Sequence, residues 1–136
     1  MASYLHESIA LYLDRLIDWD AILNTATEGI SVNPSFRQRY IQNVKQQLAN
    51  PGGLLRQLLD AVKTGGTYQF LRVHTINKRH GVLFRLIFAG SGDVNYHTYI
   101  LARKPDRQVR AVDEYTFLFG ELISQTLRRQ YLPLAA

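Results

Sequence analysis

Apolar residues recur at helical spacing through the first half of the chain and at alternate positions through most of the second half. A repeat of about 3.6 residues is typical of an amphipathic helix, and a repeat of two is typical of a strand. The change falls near Gly66. Residues 1–65 are therefore predicted to be mainly helical, residues 66–117 to form a sheet and residues 118–131 to form a C-terminal helix.

Capping residues divide the helical half into four predicted segments. Asn33 followed by Pro34 marks a helix start, because asparagine accepts from free amides and proline suits the first helical position. Glycines such as Gly29 and Gly65 mark helix ends. The predicted helices run from Ser3 to Ile17, from Asp18 or Asp20 to Gly29, from Asn33 onward, and from Leu54 to Gly65.

Four strands follow, joined by short loops rich in Asn, Gly, Ser, Pro and Asp. Short connections favour antiparallel neighbours, so the strands are predicted to form a four-stranded antiparallel meander. The chain length suits one α+β domain over residues 1–136, with helices packed on one face of the sheet. The predicted strands are Thr67 to Ile76, Val82 to Phe88, Val94 to Arg103 and Gln108 to Phe117.

Loop lengths decide which strand residues oppose each other, because side chains alternate between the faces of a sheet. The predicted loops are residues 77–80, 89–93 and 104–107. Thr98 then faces Asp113 and His97 faces Glu114, which predicts an apolar face for the helices and a mixed face of charged, aromatic and aliphatic residues. The predicted apolar face comprises Leu71, Val73, Val82, Phe84, Leu86, Phe88, Val94, Tyr96, Ile100, Ala102, Val109, Ala111, Tyr115 and Phe117.

The first candidate site is Asp113 on the apolar face, with Thr98, Tyr96 and Tyr115 near it. Desolvation raises the pKa of a carboxyl group, which suits Asp113 to act as a general base or to hold a polar group of a ligand. Asp113 could equally accept hydrogen bonds from Thr98, a tyrosine hydroxyl or a loop amide and so anchor the last strand.

The second candidate site is a charged cluster on the mixed face. It could bind an anionic ligand or a partner surface, or it could form cross-strand ion pairs at a subunit interface or in solvent. Because this face is too apolar for solvent alone, we expect a homodimer that buries part of it. The cluster comprises Arg72, His74, Arg85, His97 and Glu114.

Composition and missing motifs narrow the function classes. The chain has no cysteine, which removes disulfides and thiolate metal sites, and we expect neither a metal nor a cofactor. It lacks the glycine-rich phosphate loops, HExxH and GxSxG. A net charge of +5 is modest and the acids are dispersed, which disfavours nucleic-acid binding. Without a signal-peptide pattern or a membrane-length apolar run, we expect a cytoplasmic protein that does not enter a membrane.

The segments NYHTYIL and VRAVDEYTFLFGELISQTLRR carry a resemblance to known proteins. They are similar to a poorly characterised bacterial family whose members often continue into tetratricopeptide repeats. Helices followed by a bent antiparallel sheet also resemble the nuclear transport factor two and cystatin-like superfamily, in which the sheet wraps a helix as a cone and encloses a pocket. Neither resemblance supplies a catalytic residue.

The sequence therefore predicts a non-catalytic domain that binds a small molecule or a protein partner. The alternative is a small isomerase or hydrolase that uses Asp113 as its general base. A pocket beside Asp113 would favour a ligand or a substrate, and a filled core there would favour protein interaction.

Overall fold

A computed structural model describes residues 15–49 and 54–135. In this part of the chain, helices precede and follow an antiparallel sheet of five strands in the order β1-β2-β3-β4-β5, which confirms the predicted α+β meander and adds one short strand. The helices are α1 (Trp19–Thr27), α2 (Pro34–Ala49), α3 (Leu54–Lys63) and α4 (Ile123–Ala135). The strands are β1 (Thr67–Ile76), β2 (Arg79–Ile87), β3 (Val94–Arg103), β4 (Val109–Thr116) and β5 (Glu121–Leu122).

Most of the first predicted helix, from residue 3 to residue 14, lies outside the described residues. Two of the other predicted helix starts, at Asp18 and Asn33, are confirmed by capping bonds. Asp18 Oδ1 accepts from the amide of Ala21 at 3.1 Å, and Asn33 Oδ1 accepts from the amide of Ser35 at 2.9 Å. No helix in the described part of the chain is long and apolar enough to cross a membrane.

A layer of α1, α2 and α4 builds the larger core. Its buried residues meet Tyr99 of β3 and Ala111 of β4, so this layer covers one face of the sheet. Arg128 of α4 donates to the carbonyls of Ala26 at 3.2 Å and Glu28 at 2.8 Å, where it satisfies carbonyls at the end of α1. The helical members of the core are Ile22, Leu23, Ala26, Ile123 and Leu127.

Helix α3 lies over a different part of the sheet. It packs through Leu58 and Ala61 against Leu86 of β2. Its end approaches the sheet closely, because a Cβ atom added to Gly66 would lie 2.5 Å from the carbonyl oxygen of Ile87. Only glycine allows this contact, so Gly66 helps to set the position of α3 above the sheet.

The register predicted for β3 and β4 is wrong. Thr98 pairs with Tyr115 and not with Asp113, and Glu114 pairs with Tyr99 and not with His97. Two features cause the shift: Arg103 pairs with Val109 across a five-residue loop, and a bulge in β4 leaves Val112 unpaired between the Ile100–Asp113 and Leu101–Ala111 pairs. Each moves the register by one residue, so together they return His97 and Glu114 to one face as predicted.

The prediction of which sheet face the helices cover is also wrong. Ile87 pairs with Val94 across a six-residue loop, one residue longer than predicted, and a bulge interrupts β1 between Phe70 and Arg72. The loop length places Leu86 on the same face as His97 and Tyr99. The helices therefore cover much of the predicted mixed face, and self-association through that face stays a prediction. We call this surface the helix face and define it by Tyr68, Leu86, His97, Tyr99 and Glu114.

The C-terminal helix begins later than predicted. Residues 117–120 form a turn in which Gly120 has a φ of +69°, and β5 intervenes before α4 starts at Ile123. Gly120 serves this turn, since nothing lies within 4 Å of a Cβ built on it. Ile123 and Leu127 of α4 are buried, Leu122 is half-buried in β5 and Phe119 is exposed.

Tyr131 supplies a stability prediction because its hydroxyl is buried without a hydrogen-bond partner among the described residues. Its ring is fully buried, 4.6 Å from the ring of Tyr40 between centroids. We expect Tyr131→Phe to raise the free energy of unfolding by about 1 kcal/mol, because an unsatisfied buried polar group costs about 1–3 kcal/mol. Urea denaturation measures the change.

Tyr40→Phe is the matched control. The Tyr40 hydroxyl donates to the carbonyl of Leu127 at 3.3 Å, so its removal is expected to lower the free energy of unfolding by about 0.5–1.5 kcal/mol. If Tyr131→Phe destabilised the protein as much as Tyr40→Phe does, the Tyr131 hydroxyl would have a partner in solution.

Candidate functional site

A cavity of about 420 Å³ lies between α3, the helix face and the turn after β4. Its volume falls in the range of about 300–1,000 Å³ that is usual for small-molecule pockets. Apolar side chains make up much of the wall, and a few polar groups interrupt them. The described lining residues are Ile17, Leu58, Asp60, Ala61, Thr64, Leu86, Phe88, Asn95, His97, Tyr99, Glu114, Thr116, Leu118 and Phe119.

The strand register brings the polar lining residues together. Tyr99 pairs with Glu114, and His97 pairs with Thr116, so these four side chains share the helix face. All four are buried or half-buried. The exposed side chains of Leu118 and Phe119, at 72% and 62%, stand at the mouth.

A hydrogen-bond network joins the aromatic residues below the cavity. The hydroxyl of Tyr68 lies 2.7 Å from that of Tyr99 and 3.0 Å from Nδ1 of His97. The same Nδ1 lies 3.3 Å from Oε1 of Glu114. Tyr68 therefore does not line the cavity itself, but its hydroxyl contacts two lining residues, Tyr99 and His97, and orients them.

Asn95 determines which nitrogen of His97 carries the proton. Asn95 Oδ1 accepts from the backbone amides of Tyr96 at 2.9 Å and Leu118 at 3.0 Å, which fixes the orientation of the amide group. Its Nδ2 then donates to Nε2 of His97 at 3.2 Å. Nε2 must therefore be unprotonated, so the hydrogen is on Nδ1 and points toward Glu114 and Tyr68.

Burial keeps the acid and the base of this network uncharged at neutral pH. Loss of solvent, and next the charge of Asp113, raise the pKa of Glu114 from 4.5 to about 8. Loss of solvent lowers the pKa of His97 from 6.5 to about 4. Their contact is thus a hydrogen bond between neutral groups and not an ion pair. Burial also raises the pKa values of Tyr68 and Tyr99.

Comparison with known proteins shows a likeness of fold alone. No protein-family model matches the chain, and no curated protein matches its sequence. The fold is similar to that of a phospholipid-binding protein from Ralstonia solanacearum. That protein was solved in complex with a phospholipid; the TM-score is 0.60 and the sequence identity 15%, over 98% of this chain and 72% of the other.

The first predicted site does not assemble at the cavity. Asp113 is buried, but its side chain leaves β4 on the opposite side from Glu114, toward the start of α4. There Asp113 Oδ1 accepts from the amide of Ser124 at 3.2 Å, and Oδ2 accepts from the Ser124 hydroxyl. The carboxylate therefore caps α4 and anchors it to the sheet.

The companions of Asp113 are also placed elsewhere. Thr98 is buried, with its hydroxyl 3.4 Å from Nε2 of His74. Tyr96 and Tyr115 both pack against Phe117, at ring-centroid distances of 5.6 and 5.1 Å. None of the three is among the described lining residues.

The second predicted cluster is divided by the bulges and loops. His97 and Glu114 come together in the cavity. Arg72 is exposed, and Arg85 donates to Gln69 at 2.6 Å on the reverse of the sheet. No group of three His, Cys, Asp or Glu side chains in the described ranges could hold a metal ion.

Sequence reasoning missed the part played by α3 and by Asn95. Leu58 and Ala61 line the cavity, but nothing in a helical stripe says which part of a sheet it covers. Asn95 is the second residue of β3, close to a loop, and gives no local signal for a polar network. The available clue was that the predicted mixed face, which contains His97 and Glu114, also contains aromatic residues.

Proposed function

We propose that this chain is a non-catalytic domain that binds one small amphipathic molecule of the lipid class in the cavity under α3. The observation that carries the proposal is a cavity of about 420 Å³ with an apolar wall and a buried polar network at its base. Burying hydrocarbon in such a wall contributes about 0.8 kcal/mol per CH₂ group. A few fixed polar groups then orient the ligand.

Two further observations support a lipid. The protein of similar fold from Ralstonia solanacearum binds a phospholipid, and its structure aligns over 98% of this chain with a TM-score of 0.60. The mouth of the cavity is formed partly by Leu118 and Phe119, which are exposed apolar side chains. Exposed apolar residues at a pocket mouth give a poorly soluble molecule a surface to contact before it enters.

The geometry gives less support to an isomerase or hydrolase with Asp113 as its base. Both carboxylate oxygens of Asp113 are engaged by Ser124, and Asp113 does not line the described cavity wall. A general base must reach the proton that it removes.

A cytoplasmic location stays a prediction.

Binding is tested with N-phenyl-1-naphthylamine, an uncharged fluorophore whose emission rises in apolar sites. We expect one molecule to bind per chain and to be displaced by sonicated phosphatidylethanolamine. Thr64→Phe and Ala61→Phe place a ring in the cavity, so each is expected to weaken binding about tenfold or more, which corresponds to about 1.4 kcal/mol.

Thr75→Phe is the matched control for Thr64→Phe. Thr75 is exposed in β1 and is not a described lining residue, so the same chemical change there is expected to leave binding as it is in the wild type. Circular dichroism checks that each variant is folded. Equal fluorophore binding by the wild type and both folded cavity variants would show that the cavity is not the site.

A further inference from the structure

The polar residues at the base of the cavity determine which chemical groups of a ligand it favours. Glu114 and Tyr99 both line the cavity, and they are only 5% and 2% exposed. Both belong to neighbouring strands and pair directly in the register. They therefore form a fixed pair of groups on a sheet, where positions are more precise than on a loop.

The hydrogen-bond directions leave donors for a ligand. The Nδ1 hydrogen of His97 points toward Glu114 and Tyr68, so Tyr68 accepts there and donates its own hydrogen to Tyr99 at 2.7 Å. The Tyr99 hydrogen is then free to point into the cavity. A protonated Glu114 carboxyl supplies a second O–H donor beside it.

The described part of the wall offers no positive charge to an anion. Its lining residues include no lysine or arginine. Asp113 adds a buried carboxyl group next to Glu114 in the chain. A buried ion without an opposite charge costs several kcal/mol, so a phosphate or carboxylate would be poorly held at the base.

We propose that the group held at the base of the cavity is an uncharged hydrogen-bond acceptor, such as an ester or ketone carbonyl, which accepts from Tyr99 and Glu114. A charged headgroup would remain at the mouth. The inference rests on the proposed function, because it assigns the ligand class of the same cavity.

Competition among single-chain amphiphiles of equal length tests the inference. Methyl decanoate, decyl phosphate and decyltrimethylammonium would each compete with N-phenyl-1-naphthylamine at pH 7. We expect the ester to displace the fluorophore at about one-tenth of the concentration that the other two require, since each of the two added hydrogen bonds strengthens binding roughly threefold or more.

Two substitutions at one position show whether the carboxyl group causes the preference. Glutamine keeps a donor of similar shape, so Glu114→Gln is expected to retain the ratio of ester to phosphate affinity. Leucine removes this donor and leaves that of Tyr99, so Glu114→Leu is expected to lower the ratio about threefold or more. Tyr99→Phe removes the other donor and is expected to lower the ratio about threefold or more, which corresponds to the loss of one hydrogen bond.

The outcomes separate the two proposals. Fluorophore binding together with equal or stronger competition by decyl phosphate or decyltrimethylammonium would overturn the assignment of an uncharged acceptor and leave the lipid-binding function standing. Failure of the wild type to bind the fluorophore or any of the three amphiphiles would overturn the binding function, and this inference with it.

Discussion

Replacing Glu114 by glutamine is expected to remove a loss of stability that the wild type suffers between pH 6.5 and pH 8. Burial raises the pKa of Glu114 from 4.5 to about 8, so the folded protein holds this proton after the unfolded chain has released it. The free energy of unfolding therefore falls as the pH rises through this window, by about 1.4 kcal/mol per pH unit at most.

The sign follows from which state binds more protons. Below pH 4.5 both states carry the Glu114 proton, and above about pH 8 neither does, so the cost grows between these values and is then constant. His97 acts in the opposite direction at lower pH, because its pKa falls from 6.5 to about 4 on folding and stability is lost as the pH falls through that range. Most of the His97 effect lies below pH 6.5, and comparison with Glu114→Gln removes the rest, because both proteins contain His97.

Urea denaturation of the wild type and of Glu114→Gln at several pH values measures the effect. The wild type is expected to lose on the order of 2 kcal/mol relative to the variant between pH 6.5 and pH 8. Parallel pH profiles for the two proteins would mean that Glu114 is already ionised in the folded state at neutral pH, which would also remove a donor from the cavity.

Replacing Leu127 by alanine is expected to lower the free energy of unfolding by about 2–5 kcal/mol, because it leaves a cavity where α1, α4 and the sheet meet. Leu127 is 9% exposed and packs in the core with Leu23 and Tyr99. Thermal and urea denaturation both report the change.

Leu134 supplies the control on the same helix. Its side chain is 62% exposed, so Leu134→Ala makes the same truncation with little loss of buried surface and is expected to change the free energy of unfolding by less than about 0.5 kcal/mol. Similar effects of the two substitutions would show that α4 is not anchored to the sheet through Leu127.

The parts of the fold that the sequence predicted are the parts decided by neighbouring residues. Asp18 and Asn33 cap helices because each side chain reaches an amide two or three residues further on. The strands alternate as expected because their residues stand on a pleated surface. The two bulges and the longer β2–β3 loop depend on contacts between strands, and no local pattern announced them.

The sequence correctly placed His97 and Glu114 on one face of the sheet, because two errors in the predicted register cancelled. His97 and Glu114 share a face because a longer loop and a bulge shift β4 by two residues in total, which preserves alternation. Asp113 stood out as an acid among apolar neighbours, and it is indeed buried, but Ser124 satisfies it at the start of a helix. Which face α3 covers depends on the approach of Gly66 to β2, which a helical pattern does not encode.

The bonds from Arg128 to the carbonyls of Ala26 and Glu28 have a consequence for synthesis on the ribosome. They join residues 102 and 100 positions apart, and the core of α1 includes Ile123 and Leu127 from the same late segment. At about 5–20 residues per second, α1 waits several seconds for these partners to be synthesised. During that time, Ile22 and Leu23 lack the α4 side of their core, so a nascent chain paused before residue 123 would present an apolar surface to chaperones.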